Sequence, residues 1–278
     1  MTFQMNKLAQ AIAKVYGKII AVIGGKGGSL KSTTTQNLGV ALTAQGHKVM
    51  IIDFDPQKTN YLWWVLRDKN FIKQQAKLAE KLAELKKQKE ETGKVFNPLM
   101  ARNIAKQAAE YNKMRSLKVI AMNPANIDWK EVEALKSEYD YIICDTSGHL
   151  EFIGTTKDLI KKSDMVLVPF NNSIDDFNVR LDVKETIKSC GEIKAKVYSL
   201  VIDMNEKQNA KGIAQKLLAN VADTMPIAPV KLYKRSSWLD VKYSGWGVIE
   251  GKKDKVATKQ FLDFADFVTS ELNIAKAA

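Results

Sequence analysis

The sequence predicts a doubly wound α/β fold on a mostly parallel sheet, and three observations carry that expectation. Short, wholly apolar, β-branched runs recur along the 278 residues, among them KIIAVIG at 18–24, KVMIID at 48–53 and YIICD at 141–145. Strands covered on both faces need such runs. Between them lie stretches whose apolar residues repeat at helical spacing. The first two strands are also separated by a glycine-rich turn and a helix, which makes a βαβ unit with a right-handed crossover.

Taken in order, residues 18–24 form the first strand. Residues 32–45 form a helix with Leu38, Ala41 and Leu42 on one face, ended by Gly46. Residues 48–53 are the second strand. The segment 67–116 then breaks the rhythm, because it is rich in Lys, Gln and Ala and holds no strand signal. Leu78, Leu82 and Leu85 recur at helical spacing, Thr92-Gly93 makes a break, and Pro98 suits the first turn of a helix carrying Ile104, Ala108 and Tyr111. This reads as a helical hairpin inserted between the second and third strands. Alternation resumes with strands at 117–122, 141–145, 165–169 and 197–203. Helices are expected at 129–138, 156–162, 174–189 and 208–219, with a last one at 257–272. A short amphipathic helix carrying Met5, Leu8, Ile12 and Val15 precedes the first strand. The whole describes one domain over 1–278 with the insertion at 67–116 inside it.

Composition narrows the function classes. Hydrophobic residues make up 45% and charged residues 27%, the balance of a soluble globular protein. No apolar run is long enough to span a bilayer, and the N-terminus lacks the apolar core of a signal peptide, so a soluble cytoplasmic protein is expected. Two cysteines exclude a disulfide framework, and Cys144 reads as a core residue. Cys144 and Cys190, with only His47 and His149, lack the spacing of zinc or iron–sulfur ligands. The net charge of +12 fits either a lysine-solubilised surface or a footprint for nucleic acid or an anionic membrane, and composition does not choose.

The chemistry begins after the first strand. Gly25-Lys26-Gly27-Gly28-Ser29-Leu30-Lys31-Ser32 follows a strand and opens a helix, with Gly25, Lys31 and Ser32 in register with the phosphate-loop pattern G-x-x-x-x-G-K-[ST]. Gly27 and Gly28 let the backbone curl so that its N–H groups face an anion, and the helix N-terminus adds positive potential. Lys31 places a point charge near the outer phosphates of ATP, the Ser32 hydroxyl can ligate Mg²⁺, and Thr33 continues the cradle. Leu30 stands where the pattern has glycine. A side chain there costs little if residue 30 is already helical and more if it needs positive φ; we expect the helical case.

Lys26, second in the loop, gives K-G-G-x-x-K-[ST]-T, which resembles the deviant Walker A motif of the ParA/MinD family. IIDFDPQ at 51–57 looks like the second motif of that family, and EYDYIICDTSG at 138–148 looks like its Walker B region. The resemblance covers most of the chain apart from the hairpin. It implies a P-loop NTPase of the SIMIBI type that binds ATP and Mg²⁺ and forms a nucleotide-sandwich homodimer. By position, Lys26 would reach the phosphates of the partner subunit, Asp55 would orient the attacking water, and Asp53 and Asp145 would hold Mg²⁺ through its water shell. LVPFNNSIDDF at 167–177 resembles the segment lining the dimer interface. Asp203 stands where adenine is usually read, and the 226–229 loop could pack on that base, though plain structural roles suit these short patterns as well. KRSSWLDVKYSGWGVIE at 234–250 resembles the R-x(n)-G-x-x-V-x-E segment before the last helix.

Within the family, the acidic residues Asp263, Asp266 and Glu271 make the last helix read as a core-packing element and not a membrane anchor. No membrane partner is expected. ParA-type relatives bind DNA without sequence preference, and Lys207, Lys211, Lys216, Lys234, Arg235 and Lys242, with further lysines between 231 and 255, could supply the phosphate contacts. Trp238, Tyr243 and Trp246 lie among them, and the short N-terminus leaves no room for a helix-turn-helix domain. The expectation is a weak, partner-stimulated ATPase that dimerises on ATP, associates with the nucleoid and moves or partitions a cargo such as a plasmid. It would answer to a ParB-like or centromere-binding adaptor. The alternatives are a metabolic P-loop ligase or kinase, for which no substrate motif is evident, and a MinD-like positioning ATPase.

Overall fold

Six strands lie side by side, all parallel, in the order β3-β2-β4-β1-β5-β6. They are β1 (Lys18–Val22), β2 (Val49–Asp53), β3 (Lys118–Ala121), β4 (Tyr141–Asp145), β5 (Met165–Asn171) and β6 (Lys196–Ile202). The computed structural model describes residues 17–24, 30–93, 98–148, 152–171, 174–202, 225–230, 232–251 and 253–272. Helices follow in chain order as α1 (Lys31–Ala44), α2 (Thr59–Thr92), α3 (Pro98–Met114), α4 (Trp129–Ala134), α5 (Ile153–Lys162), α6 (Ile174–Lys188), α7 (Ser236–Lys242), α8 (Val248–Gly251) and α9 (Lys255–Leu272).

Side-chain alternation along the strands divides the core into two layers. Ile20, Val22, Val49, Ile51, Tyr141 and Ile143 pack with α1, the first turns of α2, and α9. Ile19, Ala21, Met50, Ile52, Ile142 and Cys144 pack on the other face against Val132 of α4 and Leu159 and Ile160 of α5. Each aliphatic side chain buried in this way contributes about 1.5–3 kcal/mol, which explains why β2 and β4 are apolar up to their last residue. Register places function at one edge: Val22 and Asp53 both pair with Asp145, so β1, β2 and β4 finish level. Side chains leaving those ends converge on one crevice.

The hairpin is present with a different beginning. α2 runs unbroken for 34 residues from Thr59, so the expected insertion at 67–116 grows out of the crossover helix itself. Gly93 closes α2 with φ +61°, a left-handed cap that glycine adopts at no steric cost. Gln75 donates to Asn112 at 2.9 Å and Arg115 to Asp68 at 3.0 Å, which ties the two arms together. α7 and α8 lie where no helix was expected. The amphipathic helix at the N-terminus and the helix at 208–219 lie outside the described residues.

α9 buries Phe261, Phe264, Ala265 and Val268. Its acidic residues are fastened to this chain: Asp263 to Lys259, Asp266 to Gln45 and Glu271 to both Lys196 and Tyr198. None of the described helices is long and apolar enough to cross a membrane.

Candidate functional site

Asp145 is the hub of the crevice. It ends β4 fully buried, and its Oδ2 accepts hydrogen bonds from Ser32 Oγ at 2.7 Å and Asn60 Nδ2 at 2.6 Å. Burial pushes its carboxyl from 3.8 up to about 7, against the opposing pull of Ser32 and the Lys31 charge. Its second oxygen, Oδ1, is buried with no hydrogen-bond partner among the described residues.

Asp53, at the end of β2, organises the start of α2. Lys58 precedes that helix in a left-handed conformation, with φ +54°, and its side chain makes no cap. Asp53 supplies the missing acceptors from the neighbouring strand: Oδ2 takes the N–H of Asn60 at 2.8 Å and of Tyr61 at 3.1 Å, and Oδ1 that of Asp55 at 3.1 Å. Burial raises its carboxyl and these N–H bonds pull it back, with burial the stronger. Asp55 sits half-buried at the mouth, where its Oδ1 accepts from Gln57 N at 2.8 Å.

Lys31 opens α1 and is buried, 7% exposed. Desolvation lowers its pKa, partly offset by the charges of Asp145 and Asp55. Thr33 is buried beside it, its carbonyl accepting from Asn37. Leu30 corrects the expectation of a helical residue. It is the N-terminal cap of α1 at φ +60° and ψ 17°, the left-handed region that glycine favours, and its side chain packs on the core layer under α1. Gly25, Lys26, Gly27, Gly28, Ser29 and Asp203 lie outside the described residues.

Two residues of this site region were missed from sequence. Asn60 is fully buried and joins both carboxylates, one through its backbone and one through its side chain. A polar Thr-Asn pair ahead of the apolar run YLWW reads only as a helix start, which hides the second bond. Arg67, 1% exposed, clamps Glu250 through 2.5 and 2.6 Å bonds and donates to the carbonyls of Gly245 and Met114. Glu250 closes the G-x-x-V-x-E segment, which docks on α1 through Val248 N to Asn37 Oδ1 at 2.9 Å. A Cβ on Gly247 would come within 2.8 Å of Val40, so only glycine permits that approach. Of the three aromatics there, Trp238 is buried and Trp246 packs on Phe71, while Tyr243 is 80% exposed. Among the basic residues, Arg235 is paired with Asp254. Lys234, Lys253 and Lys255 are exposed.

The donor set suits magnesium. Ser32, Asp53 and Asp145 offer hard oxygen atoms, and Asp145 Oδ1 is an orphaned buried acceptor. Among the described residues no three His, Cys, Asp or Glu side chains form a metal cage. Magnesium needs none, because it keeps several waters and takes one or two carboxylates together with substrate phosphates.

Comparison with known proteins gives the family. The AAA domain family profile (AAA_31) matches residues 17–192. The septum site-determining protein MinD of Synechocystis sp. is 36% identical over 138 residues, 48% of this chain and 46% of that protein. The chromosome partitioning protein ParA of Myxococcus xanthus is 24% identical over 168 residues, 55% of this chain and 52% of that protein. The chain thus spans about half the length of these curated relatives. Among solved structures, a putative plasmid partition protein from Borrelia burgdorferi bound to AMPPNP superposes with a TM-score of 0.58 at 15% identity, over 92% of this chain and 99% of that one. The cell division ATPase MinD of Pyrococcus furiosus gives 0.59 at 17% identity, over 91% and 99%. At such identities the likeness is one of fold.

Proposed function

The chain belongs to the AAA domain family, among relatives of the ParA and MinD type, and from that premise we propose that it is an ATP-driven switch that positions or partitions a cargo. The observation that carries this reading is the convergence of Lys31, Ser32, Asn60, Asp53 and Asp145 where β1, β2 and β4 end level. Phosphoryl transfer asks little of a protein beyond neutralised charge and a placed nucleophile. Lys31 would meet the phosphates as a desolvated cation, for which an incoming anion restores the charge balance that burial disturbs. Ser32 Oγ would hold Mg²⁺, with Asp145 and Asp53 on its water shell, and the ion would neutralise charge on the transferred phosphoryl group. Asp55, at the mouth, would orient the attacking water.

Lys26 would complete the partner's site in an ATP-bound homodimer, and turnover would be weak until an adaptor of the ParB or centromere-binding kind stimulates it. The exposed Lys234, Lys253 and Lys255, with the lysines outside the described residues, would hold nonspecific DNA and so place the protein on the nucleoid. A plasmid is the cargo that fits this reading. A MinD-like positioning ATPase is the second reading, favoured by septum-site relatives from Synechocystis sp. and Helicobacter pylori.

The test is duplex DNA retention against salt and nucleotide. ATP should be required, and binding should fall steeply with ionic strength, as counterion release demands. Lys31→Ala should lose ATP and DNA together. Asp55→Ala should bind ATP, stay on DNA and fail to turn over. Retention indifferent to nucleotide would refute the switch, and ATP-dependent binding to anionic vesicles in place of DNA would select the second reading.

A further inference from the structure

Asn60 does more than begin a helix. Capping α2 uses only its backbone N–H, which Asp53 Oδ2 accepts at 2.8 Å, and the cap position itself belongs to Lys58. The carboxamide is left over from that task, yet it is fully buried and its Nδ2 donates to Asp145 Oδ2 at 2.6 Å. Its own Oδ1 has no partner among the described residues, and neither has Oδ1 of Asp145. Two side chains joined by a hydrogen bond thus each hold one buried acceptor without a donor. Buried acceptors are nearly always satisfied, so such a pair calls for a donor that the described residues do not supply.

We infer that Asn60 is a positioning residue of the cation site: its amide nitrogen holds the Asp145 carboxylate in place, and its amide oxygen joins Asp145 Oδ1 as a second acceptor for the waters of a hydrated divalent cation. This rests on the nucleotide-binding reading above. The chemistry is specific to water-clad magnesium, which presents O–H donors to its surroundings and retains its shell where a larger ion would shed it. Ser32 Oγ and Asn60 Nδ2 share one oxygen of Asp145. When the Ser32 hydroxyl turns to the cation, Asn60 remains as the side-chain donor that keeps Asp145 oriented, the part that outer partners play at metal sites generally. Its backbone bond to Asp53 fixes where the carboxamide can be, so both carboxylates and the first turn of α2 move as one piece.

The experiment separates this role from plain structural support. A fluorescent, non-hydrolysable ATP analogue is titrated against wild type and Asn60→Ala, with magnesium and with EDTA. Affinity in EDTA should change by less than about twofold, while the enhancement that magnesium gives should fall at least tenfold. Equal losses with and without magnesium would mean a merely structural role and overturn the proposal, as would full retention of the enhancement. A second arm uses the metal alone. Asn60→Asp keeps the side-chain shape but sets two carboxylates side by side, so millimolar Mg²⁺ without nucleotide should raise its melting temperature clearly more than that of wild type. No such gain would show that these oxygens do not face a cation site. Wild type that fails to bind the analogue at all would sink the nucleotide reading, and the melting arm would still decide the role of Asn60.

Discussion

Helix α2 carries two buried charged clusters on one face, about two turns apart, and they are finished differently. At Arg67 the charge is paired within the protein, and of the guanidinium only the Nε–H is left without a hydrogen-bond partner among the described residues. Four of the guanidinium N–H groups reach Glu250, Gly245 and Met114, Gly247 N adds a 2.8 Å bond to Glu250, and Phe71 and Trp63 lie 4.7 and 5.3 Å from the guanidinium carbon. At Asn60 the carboxylate has no such ion pair among the described residues: two acceptors lack donors, and the Asp145 carboxyl is held far above its ordinary range. Buried charge that is satisfied fastens a fold, and buried charge left unsatisfied anticipates a ligand. The Arg67 clamp pins the C-terminal segment to α2 and α3, and that segment lies on α1. The rigid cluster therefore supports the helix that the unsatisfied one uses.

The largest expected effect breaks the paired cluster. Arg67→Ala strands Glu250, 8% exposed in its side chain, without its cation, and should cost about 3–5 kcal/mol in urea denaturation. The double change Arg67→Met with Glu250→Gln should cost clearly less than the two single changes added, because it removes the stranded charge along with the pair. Additive losses would show that the residues act separately and the contrast with Asn60 would fall.

The same operation on the other cluster should have the opposite sign. Burial raises the folded Asp145 carboxyl to about 7 from 3.8, so its contribution to stability is full below about pH 4 and lost as pH rises toward 7, with no further change above. Asp145→Asn should therefore stabilise the ligand-free protein at pH 8, on the order of 2 kcal/mol, with the gain vanishing near pH 4. It should also abolish magnesium-supported nucleotide binding. Thermal melts across that pH window check the sign, and a variant less stable than wild type at pH 8 would mean that the carboxylate is well satisfied without ligand.

How much of this was legible in the sequence follows from the same distinction. The strands were readable because a doubly covered strand must be apolar, and β4 was placed to the residue. Lys31 and Ser32 were singled out by the phosphate-loop spacing, and Asp53 and Asp145 by the resemblance to the ParA/MinD motifs; the structure brings these four residues to one crevice. Asn60 and Arg67 were not, because each acts through a partner remote in sequence: Asp145 lies 85 positions from Asn60 and Glu250 lies 183 from Arg67. Helical spacing locates Arg67 on α2 without saying that Glu250 will meet it. The start of α2 was misplaced for a related reason, since its cap comes from Asp53 on a neighbouring strand and not from the residue before the helix.

Leu30 gives the smallest expected effect and the sharpest reading of local strain. At φ +60° a leucine bears roughly 1–2 kcal/mol that glycine would not, while its half-buried side chain regains part of that by packing on the core. Leu30→Gly removes both terms and adds backbone freedom to the unfolded chain, so its net stability should stay within about 1 kcal/mol of wild type. Leu30→Ala separates the terms, because it loses the packing and keeps the strain. Despite the better helix propensity of alanine, the glycine variant should be the more stable of the two by about 1 kcal/mol. Chemical denaturation of the pair decides it. Alanine equal to or above glycine would mean that residue 30 relaxes into the helical region in solution. Binding of an ATP analogue then tells whether the strain matters to function: affinity within about tenfold of wild type for Leu30→Gly leaves leucine as a tolerated cap, and a larger gain makes it a brake on the phosphate cradle.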